Sequence, residues 1–129
     1  MLIGENMVDN AGGFVVVTTN YVPGNRITKV VGPVFGIIVR SRGIGGNIVA
    51  SLRGIVGGEI NEYTQMLTEA REHAISRMVA DAEKAGANAV VDMRFDSADI
   101  GQIMTEVVAY GTGVVIEKDS GKADPVSLR

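Results

Sequence analysis

A single apolar stripe limits what this chain can fold into more than any other feature does. Ile60, Tyr63, Leu67, Ala70, Ala74, Met78 and Ala82 recur at three- or four-residue steps, the spacing that lines one face of an α-helix. Glu62, Glu69, Glu72, Arg77 and Glu83 fall on the opposite side. The pattern opens at Glu59 and predicts one long helix ended by Gly86, because glycine takes the left-handed backbone of a helix C-cap without strain. At ~1.5 Å per residue such a helix is about 40 Å long. A compact domain of this length is narrower, roughly twice a ~14 Å radius of gyration. One end of the helix therefore overhangs, and a neighbouring copy is the usual cover for an overhang.

The segments on either side read as strands. Phe14 to Thr19 is short and β-branched, and Pro23-Gly24-Asn25 is a turn signal. Ile27 to Ser41 resumes β character, with Gly32-Pro33 and Gly36 marking bends or an edge strand. Gly45 and Gly46 belong to a hinge, Asn47 caps a short helix carrying Ile48, Leu52 and Ile55, and Gly57-Gly58 breaks it. Beyond the long helix, Ala89, Val91, Met93 and Phe95 alternate with Asp92, Arg94 and Asp96, and a further strand runs from Gln102 to about Val115. Setting Phe95 opposite Ile103 aligns Val91 with Val107 and Ala89 with Ala109, makes Ser97 to Gly101 the turn, and places Asp92 across from Glu106. The expected architecture is α+β: a two-layer subunit, with a small, largely antiparallel sheet and one long helix on one face. Residues 1–12 form a weakly ordered lead, 13–118 the domain, and 119–129 a polar, disordered tail.

Composition closes off several activities. The 129 residues are 46% hydrophobic and carry 12 basic against 15 acidic side chains, so no basic stripe points to nucleic acid. No cysteine is present, which removes disulfides, thiolate metal sites and cysteine nucleophiles. The longest uncharged apolar stretch, Val30 to Val39, is far short of the ~20 residues that span a bilayer. Met1 to Glu5 lacks the basic flank and apolar core of a signal peptide. No membrane partner and a cytoplasmic location are the expectations.

Three groups of residues are candidates for chemistry. Glu69, His73 and Arg77 stand at four-residue steps on one helix face, either as metal ligands or general base with orienter, or as a surface ion-pair ladder. His73 is the sole histidine, and a zinc site needs at least three protein ligands. Gly54 to Gly58, beside Arg53, precede the long helix and would offer backbone N–H groups to an anion. Glu59-Ile60-Asn61 replaces the Gly-Lys-Ser/Thr of a phosphate loop, so a tight turn is the competing reading. Asp92, Asp96 and Glu106 share the polar face of the hairpin in the register above, where a cation, Arg94 or a neighbouring subunit's arginine would offset their repulsion. No serine lies in a Gly-x-Ser-x-Gly elbow, and aromatic residues make up 5% of the chain. No catalytic residue and no cofactor are expected. Gly45, Gly46, Gly57, Gly58 and Gly86 read as structural joints.

Several runs together resemble the YbjQ-like family. They are Gly45-Gly46-Asn47-Ile48, Leu52 to Gly58, Tyr63, Ala70-Arg71-Glu72, and Ala85 to Val91. The resemblance spans roughly Phe14 to Lys118, with Gly54 where the family commonly has an acidic residue and Glu59 where it commonly has a basic one. These are small bacterial and archaeal proteins of uncharacterised function that carry a heavy-metal-binding description. What the resemblance implies is a two-layer subunit assembled into a ring-shaped homopentamer. The description sits poorly with a chain that has no thiolate, the ligand soft heavy metals favour. The expected function is a non-enzymatic, self-assembling protein whose partner is itself. The alternative is a metal-ion or small-ligand binder, with sites on the acidic hairpin face, at the His73 face or at subunit junctions. A third is a hydrolase at an intersubunit cleft.

Overall fold

The computed structural model describes residues 13–41, 61–102 and 104–119, with the side chains of all of these except Ser41, Glu62 and Tyr63. Within them the order is β1 (Val15–Val16), β2 (Asn25–Ser41), α1 (Asn61–Lys84), β3 (Ala89–Ile100) and β4 (Met104–Lys118). One four-stranded sheet runs in the order β1-β3-β4-β2. β1 pairs parallel to β3, while β3 with β4 and β4 with β2 are antiparallel. With α1 against one face, the architecture is the expected α+β, two layers with a largely antiparallel sheet. The joints at Gly45-Gly46 and Gly57-Gly58, and the short helix after Asn47, lie outside the described residues, as do the lead and all of the tail beyond Asp119.

Helix α1 ends as its sequence dictates. Gly86, at φ +97°, donates its N–H to the Glu83 carbonyl, and Ala87 donates to the Ala82 carbonyl. These two bonds satisfy the last carbonyls of the helix. The stripe holds at its C-terminal half: Ala70, Ala74, Met78 and Ala82 are buried, and Ile75 and Val79 widen it. They pack on Val34 and Ile38 of β2, Val90 and Met93 of β3, and Val107 and Ala109 of β4. The N-terminal half is different. None of the described side chains from Asn61 to Glu69 is buried, and Leu67 is 39% exposed.

A second, smaller core lies on the other face. Val22 packs with Ala89, Val91, Val114 and Ile116, so the segment between β1 and β2 roofs that end of the sheet. Val17 N–H donates to Val90 and Met93 N–H to Val17, which ties the segment down. Asn88 extends the β3–β4 ladder with its side chain, its Nδ2 donating to the Ile116 carbonyl and its Oδ1 accepting from the Ile116 N–H.

The register differs from the one the sequence suggests. Phe95 faces Ala109 rather than Ile103, Val91 faces Thr112 rather than Val107, and Ala89 faces Val114 rather than Ala109. Ser97, Ala98 and Asp99 are strand residues paired with Val107, Glu106 and Thr105, and the chain turns at Gly101-Gln102. Gly101, at φ +62°, supplies the conformation the turn needs, and it prevails over the turn preference of Ser97 to Asp99. A bulge between Val91 and Arg94 also shifts the pairing by one residue, with Asp92 at φ +55°.

Candidate functional site

The corrected register disperses the acidic face. Asp92 sits on the bulge, exposed, and donates its N–H to the Thr19 carbonyl. Glu106 faces Ala98 on one side and Val39 on the other, five residues along β4 from the level of Asp92, or about 17 Å of strand. Asp92 and Glu106 are therefore not cross-strand partners. Asp96 pairs with Val108 and accepts the Ser97 N–H at 3.0 Å. It stays a diagonal neighbour of Glu106 on one face of the hairpin.

The helical ladder is not formed either. Glu69 accepts from Gln65 Nε2 at 3.4 Å, Arg40 Nη2 lies 3.1 Å from His73 Nδ1, and Arg77 Nη1 donates to the Ile37 carbonyl at 2.8 Å. The two basic residues reach into the neighbouring strand instead of along the helix. Beside an arginine donor, His73 Nδ1 acts as the acceptor, so its lone pair is already engaged. Among the described residues, no three His, Asp or Glu side chains converge as a metal site. No helix among them is long and apolar enough to cross a membrane.

What the fold brings together is apolar. On the sheet face away from α1, three rows of side chains cross the strands: Arg94–Tyr110–Phe35, Asp96–Val108–Ile37 and Ala98–Glu106–Val39. Phe35, Ile37 and Val39 are about half exposed, and Tyr110 is 36% exposed. The roof that covers Val91 and Val114 does not cover these rows. Their signal was present in the sequence. Val34 to Val39 is apolar at every position around Gly36, whereas a strand wetted on one face alternates. An unbroken apolar run belongs to a strand covered on both sides, and α1 covers only one.

The comparisons with known proteins agree with one another. A family model described as "Putative heavy-metal-binding" (YbjQ) matches residues 14–117. A UPF0145 protein of Thermoplasma volcanium is 54% identical over 94% of this chain and 99% of its own length. One from Bradyrhizobium is 65% identical over 80% of this chain and 93% of its own. The crystal structure of a protein of unknown function from Pediococcus pentosaceus, assigned to the DUF74 family, superposes with a TM-score of 0.52. At 14% identity over 81% of this chain and 99% of that one, it shares the fold. The donors described above do not fit a heavy-metal centre: thiolates are absent from the chain, and the sole imidazole faces Arg40. On its sequence, this chain belongs to the YbjQ, or UPF0145, family of uncharacterised proteins.

Proposed function

We propose that this chain is a non-enzymatic, cytoplasmic protein that works as a homo-oligomer, with the open apolar face as its contact surface. One observation carries the reading: β2 is apolar on both sides from Val34 to Val39, and among the described residues one side is left about half exposed. Exposed apolar side chains of β2 and β4, flanked by Arg94 and Asp96 on β3 and followed by Glu106 on β4, have the mixed apolar and charged make-up of a contact surface. The unburied N-terminal half of α1 is a second surface that a neighbour would cover. A homopentamer is the stoichiometry that family resemblance implies. Light scattering of the purified chain over a dilution series tests the reading. The expected result is one species at a fixed multiple of the 13.6 kDa chain mass. A folded species at the chain mass throughout would end it.

The second reading is a cation or small ligand held where copies meet. It draws on Asp96 and Glu106, which remain neighbours on the open face, so that two copies would pool four carboxylates. Calorimetric titration of the assembled protein with zinc, nickel, copper and calcium tests it. Heat saturating at a whole-number ratio per assembly supports this reading, and no heat with any of the four removes it.

A further inference from the structure

Among the described residues β2 stands at the edge of the sheet, where an unprotected strand offers its outer N–H and C=O groups to any chain that can add a strand. The N–H and C=O of one strand residue point the same way, and those of the next residue point the other way. Phe35 and Ile37 are therefore equivalent positions, and both turn away from β4. The Phe35 N–H donates to Asp81 Oδ2 at 3.0 Å, and the Ile37 carbonyl accepts from Arg77 Nη1 at 2.8 Å. A strand added to this edge uses both backbone groups of each outward residue. Each of these two residues has already given one of its groups to α1.

Gly36, between them, makes the reach possible. A Cβ built on it would overlap the Ala74 carbonyl oxygen and the Met78 amide nitrogen, so the helix backbone rests directly on the strand. Arg77 and Asp81 are one helical turn apart and share a flank of α1. At that separation even the short aspartate side chain spans the gap to the strand backbone.

We infer that Asp81 and Arg77 are a clamp that closes the outer edge of β2 to strand addition at Phe35–Ile37. Copies can then meet through the open face without running on into edge-to-edge sheets. The clamp acts on the edge whatever the size of the native assembly, so its test stands apart from that of the proposed function.

The test compares wild type with Asp81→Ala/Arg77→Ala, with Asp81→Asn, which keeps an acceptor oxygen, and with Glu83→Ala/Lys84→Ala as a charge control on the same helix. Mass by light scattering is followed over time, beside circular dichroism and amide exchange. In the double alanine variant the mass climbs past the wild-type value without a plateau. The Phe35 amide exchanges about tenfold faster, the factor expected for losing one hydrogen bond to a charged acceptor. Asp81→Asn and the charge control keep the wild-type mass. A double variant that stays at the wild-type mass overturns the inference, whatever its amide does. Should the double variant lose its helical spectrum, Asp81→Ala alone decides by the same two outcomes.

Discussion

On one side of β2, Val34 and Ile38 are 2% and 5% exposed beneath α1; on the other, Phe35, Ile37 and Val39 are 50%, 45% and 49% exposed. The side chains are chemically alike, so hydrophobicity did not decide their fate. Cover did. The same holds along the open face itself, where Val91 and Val114 are buried by the segment carrying Val22 and the rows beyond it are bare. α1 repeats the lesson, packed from Ala70 onward and unburied before it. Among the described residues nothing buries either region, and each is continuous with a well-packed one.

Substitutions on the two sides of β2 should therefore separate folding from association. Gly36→Ala has the largest expected effect. Its methyl group would meet helix backbone, which cannot rotate away as a side chain can, so a loss of about 3 kcal/mol or more is expected. Urea unfolding checks it, and wild-type stability would mean that α1 does not rest on the strand. Met78→Ala, on the face of α1 that packs on β2 and fully buried, should cost ~2–5 kcal/mol by the same measurement. Ile37→Asp, on the open side, should leave the far-ultraviolet spectrum intact while lowering the assembled mass. A loss of helix signal with no change in mass would reverse the comparison. Arg26→Ala is the smallest case. Its partners Glu117 and Asp119 are at 3.3 and 3.8 Å, but the Arg26 and Glu117 side chains are more than half exposed, so the change should stay below about 1 kcal/mol.

Much of the fold is legible in the residues themselves. The periodicity of α1, its end at Gly86 and the β-branched run of β2 are local signals, and all appear in the structure. The hairpin register is not local. Apolar alternation separates even from odd slips but cannot choose among even ones, and the bulge at Asp92 breaks the parity halfway along the strand. Choosing Gly101 over Ser97 as the turn needed the competing strand partners to be known. The candidate site failed for a related reason. Four-residue steps place Glu69, His73 and Arg77 on one face, yet Arg40 and Ile37, from a strand more than thirty residues away, claim two of the three. Gly36 reads as a bend or an edge-strand residue in sequence, and β2 is terminal among the described strands; only the helix above it shows why it has no side chain. The doubly apolar run from Val34 to Val39 is the exception, a local pattern that marks a strand apolar on both faces.

Sedimentation equilibrium of wild type beside Phe35→Glu/Ile37→Glu is the most direct measurement of whether the open face joins copies of this chain. Wild type should sediment at five times the 13.6 kDa chain mass, and the variant, with its helical spectrum retained, at the chain mass itself. Wild type at the mass of one chain, or a variant as heavy as wild type, would contradict it.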